Sequence, residues 1–215
     1  MIVSAMEDDV SDRARPAIGV LISGRGSNLQ ALIDAVSAGT LAADIRLVIS
    51  NRAGAAGLAR AAAAGIETLV LSHRTYANRA AFDRALLDAL KAHGVTVVCL
   101  AGFMRLLGPE FCAAFPDAVL NIHPSLLPAF PGVDAQRQAL EHGVKVTGAT
   151  VHFVTPELDA GPIVMQAAVP VRDDDTAESL SARVLEVEHA IYPAALQRVL
   201  HEPWRIVGRR VVFTA

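Results

Sequence analysis

Ala17-Ile18-Gly19-Val20-Leu21-Ile22-Ser23-Gly24-Arg25-Gly26-Ser27-Asn28-Leu29 is the stretch whose reading decides the fold. Its first six residues are a continuous apolar run, partly β-branched, of the kind found in strands covered on both faces. Ser23 to Asn28 is glycine-rich, and Leu29, Leu32, Ile33 and Val36 then recur at helical spacing until Gly39 stops the helix. Strand, tight turn and helix in that order open a parallel α/β unit.

Outward from there the alternation repeats. Residues 45–49 read as a strand, 55–64 as an Ala-rich helix, 67–71 as a strand, 79–92 as an amphipathic helix and 95–100 as a buried strand. Ala118-Val119-Leu120 then leads into Asn121-Ile122-His123-Pro124-Ser125-Leu126-Leu127-Pro128. Its two prolines end regular structure, so Asn121 and His123 are expected where a buried strand opens into a rigid loop. Residues 135–142 read as a short helix, while 145–154 and 163–171 are strands joined by a turn, which suits an antiparallel pair. Residues 176–200 form a long helix capped by Asp173 to Thr176, and 204–207 with 210–213 a weak terminal hairpin. The expected fold class is α/β: a Rossmann-like, mostly parallel sheet with helices on both faces and an antiparallel C-terminal portion. One domain is expected over residues 17–215, preceded by a flexible acidic extension, residues 1–16.

A chain of 215 residues that is 53% hydrophobic can bury a full core. Its 19 basic and 22 acidic residues give a net charge of −3 with no basic run, so a nucleic-acid partner is not expected and a small-molecule substrate is. No apolar run reaches the ~18 residues of a membrane span, and the N-terminus lacks signal-peptide order, so no membrane association and a cytoplasmic location are expected. Cys99 and Cys112 have no spaced Cys or His partners, which argues against a disulfide framework and against a metal site.

Three groups of residues carry candidate chemistry. Gly26, Ser27 and Asn28 occupy a strand-to-helix turn, where free N–H groups and the helix dipole can hold an anion; a turn that needs positive φ and a cap is the alternative. Leu29 stands where a dinucleotide fingerprint has its third glycine, so a dinucleotide is disfavoured. Asn121 and His123, two apart on an extended segment, leave on the same side and offer a fixed amide and a titratable imidazole to one volume. Acyl transfer needs that pair to stabilise a tetrahedral oxyanion and protonate a leaving nitrogen. Asp159, in a Gly/Pro-bounded turn, is the best candidate for a partnering carboxylate, or it caps its own turn. His152, on a face with Thr150 and Val154, reads as a core histidine. Lastly, Ala101 to Leu107 is an apolar loop able to hold a planar ring, with Arg105 available to an acidic tail.

Together Ile22 to Gln30, Ala101 to Arg105, Asn121 to Pro128, Val151 to Val154 with Glu157-Leu158-Asp159, and Glu188 to Pro193 resemble the folate-dependent phosphoribosylglycinamide formyltransferases. The resemblance implies that Gly26, Ser27, Asn28 and Glu188 hold glycinamide ribonucleotide, and that the formyl donor, 10-formyltetrahydrofolate, lies along Met104, Arg105, Leu106 and Leu107 near Arg79 and Asn121. Asn121, His123 and Asp159 would carry the catalysis, with direct amine attack and no metal, in a monomer or homodimer. Asp134 and Gln136 stand where some members carry histidines. The alternatives are another folate formyltransferase or formyltetrahydrofolate hydrolase, each expected to need a further domain, and a non-enzymatic phosphosugar or folate sensor.

Overall fold

The structure is a computed structural model and describes residues 15–214. Residues 1–14 of the expected extension lie outside the described residues. Four βα steps and a fifth strand open the chain: β1 Ala17–Ile22, α1 Ser27–Ser37, β2 Asp44–Ser50, α2 Ala56–Ala63, β3 Thr68–Val70, α3 Arg79–Ala92, β4 Val97–Leu100, α4 Pro109–Ala114 and β5 Val119–His123. Then come α5 Ala135–Glu141, β6 Val146–Phe153, β7 Ile163–Pro170, α6 Ala177–His201, β8 Trp204–Val207 and β9 Arg210–Phe213.

All nine strands share one sheet in the order β3-β2-β1-β4-β5-β6-β7-β9-β8. β1 to β5 run parallel, β6 is antiparallel to both β5 and β7, as the change in connection lengths implies, and β7 pairs in parallel with β9. The apolar run of β1 is buried from both sides because its residues alternate. Ile18, Val20 and Ile22 face a core closed by α1, α2, α5 and α6, while Leu21 faces a second core beneath α3 and α4. Tyr192 of α6 is fully buried in the first core, its hydroxyl 3.1 Å from the carbonyls of both Leu100 and Leu120, so the helix is tied to the end of β4 and the start of β5.

Two expectations need correction. The terminal hairpin is the outer edge of the sheet and not a weak appendage: Arg210 pairs with Ile163 of β7, the Trp204 ring lies 5.0 Å from that of Phe153, and the Arg198 guanidinium sits 3.8 Å above Phe213. The strand expected over 67–71 shortens to the three residues of β3, since at the opposite edge it has a single neighbour to pair with. Asn121 and His123 stand at the end of β5 as expected, paired with β6 up to the first proline.

β1 connects to β2 on one side and has β4 on the other, so the strand order reverses between β1 and β4. In open α/β sheets the carboxyl edge at such a point is where ligands sit.

Candidate active site

The turn after β1 reaches that edge first. Gly26 adopts φ +70°, a conformation that glycine takes without strain, and a Cβ there would stand 2.5 Å from the Cα of Gly57. The turn therefore needs glycine both for its own φ and for the packing of α2 against it. The helix ladder starts with Gln30 N–H donating to Gly26 O, which leaves the N–H groups of Ser27, Asn28 and Leu29 without intrahelical partners. Asn28 is buried, and its Nδ2 donates to Glu188 Oε2 of α6 at 2.6 Å. Burial pushes the Glu188 carboxyl up, with the Asn28 hydrogen bond pulling the other way. Asn28 Oδ1 is buried with no hydrogen-bond partner among the described residues, an acceptor left for a ligand donor. A cleft of ≈ 390 Å³ opens beside the turn, lined by Arg25, Asp134, Gln136, Arg137, Glu178 and Ser181 among others.

The second group lies at the end of β5. The antiparallel register sets Asn121 opposite His152 and His123 opposite Thr150, so all four side chains share one face of the sheet. Asp159, at φ +48° in the turn between β6 and β7, brings its Oδ2 to 3.4 Å from His123 Nδ1 and accepts Gly132 N–H at 2.8 Å. The His123 ring is held from behind, where Nε2 donates to the Phe130 carbonyl at 2.9 Å. Nδ1 is thus the nitrogen that faces the carboxylate. His123 is 4% exposed, which keeps this contact largely out of water.

His152, read from the sequence as a core histidine, belongs to this group. It is buried, and its Nε2 lies 3.2 Å from Asn121 Nδ2 and 3.8 Å from Asp159 Oδ1. To accept from an amide N–H, Nε2 must be unprotonated, so the proton sits on Nδ1, which donates to the Phe153 carbonyl at 2.9 Å. Burial pulls the His152 pKa down and favours this neutral form. The ring fixes the Asn121 amide. Alternation gave the side of β6 on which His152 stands; its neighbour across the antiparallel pair is a long-range fact that alternation does not contain.

The loop after β4 lies against the turn after β1, where Ser23 N–H donates to Gly102 O. Met104 and Leu106 are 62% and 52% exposed, and Arg105 is exposed beside them. Arg79, exposed at the start of α3, stands near Gly108: a Cβ built there would be 3.6 Å from its Nε. Leu107 differs from its neighbours, since it is 3% exposed and packs into the second core, leaving only its backbone to a ligand.

The α/β sheet carries a glycine turn with free N–H groups, a part-buried amide–imidazole–carboxylate group and an exposed apolar rim, an arrangement suited to acyl chemistry. The formyl transferase family model matches residues 17–196, and the chain belongs to that family. It is 50% identical over 179 residues to the phosphoribosylglycinamide formyltransferase of Escherichia coli (strain K12), covering 83% of this chain and 84% of that protein. It is 54% identical over 182 residues, 85% of its length, to the trifunctional purine biosynthetic protein adenosine-3 of Bos taurus, of which it spans 18%. The crystal structure of glycinamide ribonucleotide transformylase 1 from Symbiobacterium toebii superposes with a TM-score of 0.92 at 54% identity, covering 94% of this chain and 95% of that one.

Among the described residues no group of three or more His, Cys, Asp or Glu is placed to hold a metal ion, and no helix is long and apolar enough to cross a membrane.

Proposed function

We propose that this chain transfers the formyl group of 10-formyltetrahydrofolate to the amine of glycinamide ribonucleotide, a step of purine biosynthesis. The observation that carries the chemistry is the 3.4 Å approach of His123 Nδ1 to Asp159 with Asn121 on the same face of the sheet. The 50% identity to a phosphoribosylglycinamide formyltransferase of similar length supports the choice of substrates.

The ribonucleotide phosphate takes the N–H groups of Ser27 and Asn28 at the start of α1, where the helix dipole favours an anion. Asn28 Oδ1 and Glu188 meet the sugar hydroxyls beyond it. The donor lies along Met104 to Leu107, with Arg79 and Arg105 beside its carboxylate. Its formyl oxygen points at the free N–H of Asn121, whose other N–H is taken by His152.

The substrate amine attacks the formyl carbon directly. The C=O bond becomes a C–O⁻ bond, and the new charge is met by Asn121 and by protonated His123. Collapse of the tetrahedral intermediate re-forms C=O and breaks the bond to the donor nitrogen, which takes the Nδ1 proton of His123. The attacking nitrogen releases one proton, so the ring is restored to its starting form once a proton returns to it. Asp159 stabilises the cationic ring, and the Phe130 carbonyl keeps its plane fixed.

The test is direct. Purified protein given both substrates should yield formylated ribonucleotide and tetrahydrofolate in equal amounts. Formate released in place of formylated product would identify a hydrolase, and binding of both ligands without turnover a sensor.

A further inference from the structure

Between β4 and α4 the chain exposes three side chains in succession, Met104, Arg105 and Leu106, in a loop without regular structure. A loop that presents such groups to a ligand binds weakly unless its shape is held beforehand, because each residue ordered on binding costs entropy. Phe103 and Leu107, 8% and 3% exposed, turn inward on either side of the three and fix them to the second core.

The backbone is held at the same two ends by buried polar side chains. At the start, Ser23 Oγ accepts Met104 N–H at 2.9 Å, while Ser23 N–H donates to the Gly102 carbonyl at 3.1 Å. At the end, Asp83 Oδ2 accepts Gly108 N–H at 2.7 Å. Asp83 is anomalous where it stands. It is 3% exposed, on a face of α3 otherwise made of Phe82, Leu86 and Leu90, and its Oδ1 is buried with no hydrogen-bond partner among the described residues. Burial pushes its carboxyl up, opposed by the Gly108 hydrogen bond and then by Arg79 and Arg105, the same two cations placed beside the donor. A half-satisfied carboxylate is a poor way to fill a core, so its use lies in what it holds.

We propose that Ser23 and Asp83 are positioning residues for the formyl donor, pinning the two ends of the 104–107 loop so that Met104, Arg105, Leu106 and the adjacent Arg79 are presented in one arrangement. This rests on the reading of that loop as the donor site.

Steady-state kinetics of Ser23→Ala and Asp83→Ala test it. Each should raise KM for the donor about tenfold, the size expected from losing one buried hydrogen bond, with kcat and the KM for the ribonucleotide within about twofold. Asp83→Asn keeps an oxygen for the Gly108 N–H and should recover most of the loss. Should Asp83→Ala fail to fold, Ser23→Ala at the other end decides alone. Equal rises in both KM values would mean a general loosening and overturn the proposal. Met104→Ala separates the two layers: if it raises the donor KM while the anchor variants do not, the anchors are wrong and the donor site stands. If none of the three moves it, the donor assignment fails and the proposal with it.

Discussion

Asp159 is the residue on which most of the proposed chemistry turns. Its φ of +48° is tolerated by Asp and Asn better than by other side chains, so Asp159→Asn leaves the turn intact and removes only the charge opposite His123. Turnover should fall on the order of 10²-fold or more, with both KM values changed little and the melting temperature close to that of the parent. Parent-like turnover would take Asp159 out of the mechanism. The same residue shows what local reading supplies. A carboxylate in a Gly/Pro-bounded turn is visible as a polar residue at a rigid position, but whether it caps its own turn or reaches a histidine 36 positions back depends on the β6–β7 hairpin folding over β5. In the structure it reaches away from its own turn: one carboxylate oxygen accepts the Gly132 N–H and faces His123.

At the scale of elements, the anion turn depends on how closely α2 approaches it. A Cβ at Gly57 would lie 2.6 Å from the Ile22 side chain and 3.1 Å from the Gly26 Cα, so Gly57→Ala must push α2 outward or shift the turn. Because Gly57 is remote from His123 in the sheet order and donates its own N–H to Gly24 O, the expected effect is a several-fold rise in the KM for the ribonucleotide with a smaller change for the donor. The reverse pattern would place the phosphate elsewhere. Elements of this kind were largely legible from the chain. Buried parallel strands announce themselves as unbroken apolar runs, and α3 was found to the residue at 79–92, because both signals are local. The β8–β9 edge was read as weak since four-residue strands carry little pattern, and what fixes it is the packing of Trp204 and Arg198 on aromatic rings distant in sequence. His152 is buried as its place in the strand implies, but its contact with Asn121 is a matter of register, which is set by the whole antiparallel pair.

For the whole molecule, the same histidine ties the site to acid stability. His152 is neutral in the folded chain, and burial holds its pKa below 6.5. In the unfolded chain an ordinary histidine takes up a proton near pH ~6.5. As pH falls through that value the unfolded state binds a proton that the native state refuses, so His152 contributes stability above it that is lost progressively below, by at most about 1.4 kcal/mol per pH unit. His189 acts in the same sense, lowered first by burial and then by Arg60, while His93 acts in the opposite one, raised by the Ala89 carbonyl and Glu67. The parent and His152→Gln, an uncharged side chain still able to bond Asn121, share those other groups, so their difference isolates His152. Urea unfolding at pH 7.5 and 5.5 should show the parent losing more stability than the variant, by on the order of 1 kcal/mol. Equal losses would mean that His152 takes up its proton as readily in the folded chain, and the neutral ring assigned to orient Asn121 would have to be abandoned.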